Sequence, residues 1–291
     1  MAQSEDPIDQ RRLEQLVGNP GELFIALSDR IQDENIKRFR DIESDFLAWL
    51  WSVDTHRTEE VIPRAPRRKN ADELSKSDLA AGMYRGKGDR FSDVLSLILS
   101  NKTSSTLAPR GKVQGYSQLH QIDIAWPTPD RGVAQDPIVC CESKISGSPP
   151  EGSRKARSIR NDWTNRRKEL KFQATDLKLF QSKDDPKIRN WDQWRRGAAP
   201  RVYAIWAGRL RTLGELKYMV DQARDLTDTY LDRVGIYGFI TNETGDGYVA
   251  ASPGRDVAER VTGLDTVLDL IEAEIDAYLE KHPDAVRVPK A

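Results

Sequence analysis

Apolar residues recur at intervals of three and four through residues 21–53: Leu23, Ala26, Leu27 and Ile31, then Phe39, Ile42, Phe46, Leu47 and Leu50. That spacing places them on one face of a helix and predicts two helices in this stretch. A second stripe, Phe91, Val94, Leu95, Ile98 and Leu99, predicts a helix over 89–101, with Gly86 and Gly88 punctuating its start. The period then changes. In QLHQIDIAW (118–126) apolar and polar residues alternate, so that Ile122, Ile124 and Trp126 share one face of a strand. IVCCESKI (138–145) is a near-continuous apolar run ending in charge, the pattern of a buried strand that delivers side chains to a site. A basic helix is predicted over 154–181, strands over 201–207 and 234–241, and helices over 213–231 and 264–279. This order predicts a mixed α/β core with helices packed on a sheet.

Length and composition change the picture little. The chain has 291 residues, 38% hydrophobic and 31% charged, enough for a packed core in one large domain or two modest ones. A Pro63/Pro66 stretch with Arg67-Arg68-Lys69 looks like a connector over 61–77. It either separates an N-terminal helical region (1–77) from a core (78–291) or is a surface loop. No internal repeat is evident. No apolar run approaches bilayer length, and the acidic, polar N-terminus lacks a signal-peptide layout. A soluble, cytoplasmic chain without a membrane partner is therefore expected. The two cysteines, Cys140 and Cys141, are adjacent and read as reduced, buried thiols. His56, His120 and His282 are scattered, and no Cys or His pair has zinc-ligand spacing, which argues against a structural zinc site.

Charge is more informative than its total of −1 suggests. Residues 1–60 carry −7, residues 61–214 carry +14 and residues 215–291 carry −8. A basic centre between acidic ends points to a surface that binds a polyanion. Within that centre lies a set of residues with chemistry. Asp123 sits near the end of the first central strand, and Glu142 and Lys144 lie two apart on the second, hence on one face. Pairing the strands brings the two carboxylates together, where their repulsion favours a divalent cation; hard oxygen ligands favour Mg²⁺ over zinc. A carboxylate-held cation polarises a phosphate and acidifies its water, and a fixed ammonium offsets developing charge. The combination suits metal-assisted phosphodiester hydrolysis. A surface salt-bridge cluster is the competing reading of the same residues.

On Asp123 in QIDIAW and Glu142 and Lys144 in CCESK, the chain resembles the PD-(D/E)XK nucleases, which include most type II restriction endonucleases. The resemblance spans roughly residues 88–241. It departs from the pattern in having Ile122 where the nominal proline stands. It implies a restriction-endonuclease-like α/β (α+β) fold, a mixed central sheet flanked by helices, with the N-terminal helical region added. It also implies a Mg²⁺ cofactor that Mn²⁺ can replace, hydrolysis of both strands of duplex DNA to 5′-phosphate and 3′-hydroxyl ends, and a homodimer. Family members often carry a further acid on the preceding helix; Asp93 is the best match and Asp89 the second. The exonuclease branch has Gln-x-x-x-Tyr after the lysine strand, whereas here Gln173 is followed by Leu177.

For DNA contact the leading element is RKARSIRNDWTNRRKELK (154–171), with Arg154, Lys155, Arg157, Arg160, Arg166 and Arg167 as the candidate contacts. If it is helical, Arg160, Arg167 and Lys171 share one edge. Residues 189–201, where Trp191 and Trp194 interleave with Arg195 and Arg196, are a second candidate. Arg64–Lys69 with Arg85, Lys87 and Arg90 are a third. His120 falls on the face opposite Asp123 if its strand is regular, which speaks against a role as base. Two rivals to a restriction enzyme stay open: another defence or repair nuclease with this core, and a non-catalytic DNA-binding protein.

Overall fold

The computed structural model describes residues 19–55, 76–103, 105–127, 133–134, 137–150, 155–161, 163–180, 199–227, 229–251 and 260–282. Residues 61–75 of the expected connector, Arg154, and all of the second basic candidate except residues 199–201 lie outside them. The helices are α1 (Asn19–Asp33), α2 (Glu43–Thr55), α3 (Lys76–Thr103), α4 (Trp163–Phe180), α5 (Gly214–Thr227) and α6 (Leu264–Lys281). The strands are β1 (Pro109–Gln114), β2 (Leu119–Trp126), β3 (Val133–Ala134), β4 (Val139–Ser146), β5 (Arg201–Arg209), β6 (Arg233–Thr241), β7 (Tyr248–Ala250) and β8 (Val261–Gly263). They form one mixed sheet in the order β3-β1-β2-β4-β5-β6-β7, with β8 also on β6. The ladders β1–β2 and β2–β4 are antiparallel, and β4–β5–β6 are parallel.

Helices cover both faces, as the change of period along the chain requires. On β5, Tyr203, Ile205 and Ala207 point to one side and Val202, Ala204 and Trp206 to the other. The first side packs on α1, α2, α3 and α6 through Phe24, Ile31, Phe46, Trp49, Phe91, Ile98, Leu268 and Ile271. The second packs on α4 and α5 through Leu170, Ala174, Met219 and Val220. Each fully buried Phe or Ile of this kind contributes about 1.5–3 kcal/mol. The two N-terminal helices share the first core with the sheet, and Asp265 of α6 accepts the Phe39 amide at 2.6 Å. Among the described residues no helix is long and apolar enough to cross a membrane.

Three expectations need correction. The helix predicted over 89–101 begins at Lys76 and runs straight through Gly86 and Gly88. Each glycine costs about 1 kcal/mol there, and Lys87 between them is held by buried bonds to Asp54 and Gly147. The predicted helix over 154–181 begins only at Trp163. Before it the chain is tied down by pairing instead: Ser148 and Arg157 exchange two backbone hydrogen bonds at 3.0 Å, and Ile159 donates to the Arg209 carbonyl at 3.0 Å. Lastly, Ile122, Ile124 and Trp126 do not share a face. Ile122 packs with Val113, Ala125, Cys140 and Leu177, whereas Ile124 and Trp126 join the opposite core. The alternation slips at Asp123, beside Arg110 of β1, whose φ of 62° marks the same irregularity.

Candidate functional site

The slip in β2 builds the site. The β2–β4 ladder ends at Ile124 opposite Cys141, and beyond it the Asp123 carboxylate takes the place of a backbone acceptor. The Ser143 amide donates to Asp123 Oδ2 at 2.8 Å, and the Ser143 hydroxyl donates to the same oxygen at 3.1 Å. On β4 the period of two puts Glu142 and Lys144 on the face of Cys140, under α4. Lys144 Nζ donates to Glu142 Oε2 at 2.5 Å and lies 3.5 Å from Asp123 Oδ2. The backbone beneath is held by β5, with Glu142 opposite Ala204 and Lys144 opposite Trp206. Trp206 stacks on Trp163, ring centroids 3.8 Å apart, which seats the first turn of α4 beside the site.

The two carboxylates are each half satisfied. Bonds to Asp123 fall on Oδ2, and Glu142 Oε1 is buried with no hydrogen-bond partner. An unpaired buried carboxylate oxygen is costly, and a cation is the natural partner for it. Burial, and then the Asp123 charge, push the Glu142 carboxyl up from 4.5 to about 7, against the pull of Lys144. Burial works to lower the Lys144 pKa, but the charges of Glu142 and Asp123 outweigh it and raise it, while Arg166 opposes them. Glu142 binds its proton more tightly folded than unfolded. Its contribution to stability is therefore full below about 4.5 and is lost as pH rises through about 7. In EDTA, Glu142→Gln is expected to melt higher than the wild type at pH 8 and close to it at pH 4. A gap that does not widen across that window would contradict the shifted carboxyl.

Other candidates are placed differently. Asp93 is not joined to the trio; it is held between Arg90 at 2.9 Å and Arg110 at 2.5 Å. His120 lies buried on Asp176 of α4, at 2.7 Å, on the α4 side of the sheet because β2 is irregular. Cys140 and Cys141 are free and buried, and burial raises both thiols, as core thiols should be. Lys155, Arg157 and Arg160 sit on the loop before α4, and Arg166 stands on its first turns, near enough for its charge to act on Lys144. The edge expected of Arg160, Arg167 and Lys171 does not form, because Arg160 lies before the helix; all three nonetheless face α5 and the turn after it. Arg160 lies over the Tyr218 ring, Arg167 and Lys171 pair with Asp225, and Lys171 lies over Tyr230. Of the third basic candidate, Lys87 and Arg90 are turned inward, and Arg201, at the end of the second, pairs with Asp232 and Glu274.

Ser143 is the contributor that the sequence did not single out. It is the middle residue of E-x-K, and strand parity assigns it to the wrong face; only the parting of β2 from β4 lets its hydroxyl reach Asp123. Ser143→Ala is expected to remove about 1.5 kcal/mol of support for the ionised Asp123, roughly tenfold in any activity that depends on it. Ser143→Thr, which keeps the hydroxyl, should restore most of that, as single-turnover rates would show.

The chain matches no family model, no curated protein and no solved structure. Among the described residues no cluster of three or more His, Cys, Asp or Glu side chains is placed to hold a metal ion. Two carboxylates, each with an oxygen to spare, nonetheless match the habit of Mg²⁺. That ion takes one or two carboxylates and completes its shell with water and substrate phosphate.

Proposed function

We propose that the chain is a Mg²⁺-dependent endonuclease of the PD-(D/E)XK kind that hydrolyses double-stranded DNA, of the type II restriction class. The observation that carries the reading is the convergence of Asp123, Glu142 and Lys144, with one open oxygen on each carboxylate, beside a basic loop and helix. The mixed sheet with helices on both faces accords with the restriction-endonuclease-like fold that the resemblance implies.

Asp123 and Glu142 would hold the cation through Oδ1 and Oε1, the oxygens that Ser143 and Lys144 leave open. When bound, the ion supplies Lewis acidity at the phosphate and a lowered pKa for its water. Lys144 keeps its proton at neutral pH and can donate to a phosphate oxygen or orient the attacking water from one side. Lys155, Arg157, Arg160 and Arg166 would hold the flanking phosphates, adding a salt-dependent, sequence-independent affinity. Opposed scissile phosphates call for two such centres, so a homodimer on DNA is part of the proposal.

The test is supercoiled plasmid incubated with the purified chain in Mg²⁺ or in EDTA. Linear or fragmented product in Mg²⁺ alone, with 5′-phosphate ends, is the expected result. The observation that favours the second reading, a non-catalytic DNA-binding protein, is the ammonium already seated against both carboxylates. Retarded but intact DNA in both buffers would select it.

A further inference from the structure

Away from the trio, on the other face of the sheet, lies a buried ionic knot that the proposed chemistry does not use. Lys87 of α3 is only 1% exposed. Its ammonium donates to Asp54 Oδ1 of α2 at 2.8 Å and to the Gly147 carbonyl at 2.7 Å. Tyr248 of β7 donates its hydroxyl to Asp54 Oδ2 at 2.8 Å, and the Arg209 charge also favours the ionised Asp54. A buried ion pair adds little net stability over apolar packing, and in some proteins its use is to fix a geometry. Here it fixes one backbone point. Gly147 is the first residue after β4, three positions beyond Lys144, and has φ +96°. A Cβ there would lie 2.5 Å from Arg209 Cβ, so the chain leaves the strand through a turn with no slack. The next residue, Ser148, pairs with Arg157, and Ile159 is bonded to Arg209. The described parts of the basic loop, 148–150 and 155–161, are thus tied to each other and to β5 directly beyond the carbonyl that Lys87 holds.

We infer that Lys87 is a positioning residue: through Gly147 it couples the N-terminal helices to the basic loop and sets how that loop meets duplex DNA. The DNA half of this inference rests on the nuclease reading; the loop half does not. Neither Lys87 nor Asp54 touches DNA or the reacting atoms in this scheme. Lys87→Met alone strands a buried carboxylate and risks unfolding, so the informative chain is the double variant Lys87→Met/Asp54→Asn, which removes both charges and keeps an oxygen for Tyr248.

Hydrogen exchange on the free, full-length chain reads the first half. The Ser148, Arg157 and Ile159 amides are expected to exchange at least about tenfold faster in the double variant, while β6 and α6 stay protected. Cleavage of a short duplex reads the second half, with KM raised about tenfold and kcat kept within about threefold. Loop amides that exchange as in the wild type overturn the inference. Faster exchange with an unchanged KM overturns its DNA half, because the loop would then not be what meets the duplex. A wild-type chain that neither binds nor cuts DNA overturns the nuclease reading, while the exchange data still decide whether Lys87 holds the loop.

Discussion

Glu142→Gln and Asp123→Asn are each expected to lower plasmid cleavage in Mg²⁺ by about a thousandfold or more, the scale of losing a preorganised charged group at a reacting centre. Both substitutions are nearly isosteric, and Asn at position 123 can still accept from the Ser143 amide. The fold should therefore survive, and melting curves would confirm it. Lys144→Met should lose cleavage to a similar extent for a different reason. It removes no cation ligand, and it withdraws the ammonium that competes for Glu142 Oε2 and Asp123 Oδ2. Calorimetric titration with Mn²⁺ should thus show binding at least as tight in Lys144→Met as in the wild type, and weakened binding in the two acid variants. Cutting within about threefold of wild type by either acid variant would remove the proposed centre.

The largest effect on stability is expected from Lys87→Met, at about 3–5 kcal/mol, the usual cost of stripping one partner from a buried ion pair. Asp54 would keep the Tyr248 hydroxyl and the more distant Arg209 charge, but would lose the ammonium 2.8 Å away. Burial already raises the Asp54 carboxyl despite that ammonium. Without it the carboxyl rises further, so the folded variant holds its proton more tightly than the unfolded chain does. By linkage its stability is greatest at low pH and falls as pH rises through the folded pKa. Urea midpoints at pH 5 and pH 8 should therefore differ more for Lys87→Met than for the wild type, and Asp54→Asn in the same chain should erase most of the difference. A loss below about 1 kcal/mol, the ordinary size of a surface change, would show that the pair carries little.

How much of this could be read along the chain differs from element to element. The two central strands and the trio were legible because a period of two is enough to put Glu142 and Lys144 on one face, and strand pairing does the rest. The partner face of β2 was not, since the slip at Asp123 goes with a break in the β1 register at Arg110 and with bonds to Ser143, 20 positions on. β1 was missed because PRGKVQ carries a single apolar side chain and takes its strand form from the hydrogen bonds of β2. β3, β7 and β8 are too short to show any period. Lys87 read as surface charge because its partner Asp54 lies 33 positions away, and Arg90, although Asp93 stands one turn on, gave no local sign of being buried. Their partnerships with Asp54 and Asp93 are a matter of burial, and the Asp54–Tyr248 bond spans 194 positions. The stretch before α4 was read as the start of the basic helix, but there the backbone groups of Arg157 pair across the loop with Ser148 instead.

The sheet's ends also bear on how two copies could meet. Among the described residues, one end of the main strand order is the two-residue β3 and the other the three-residue β7, both short strands. Short borders of this kind resist strand-by-strand extension. In the proposed homodimer such borders favour docking through helices or loops, so that helix packing rather than a shared ladder would set the distance between the two centres.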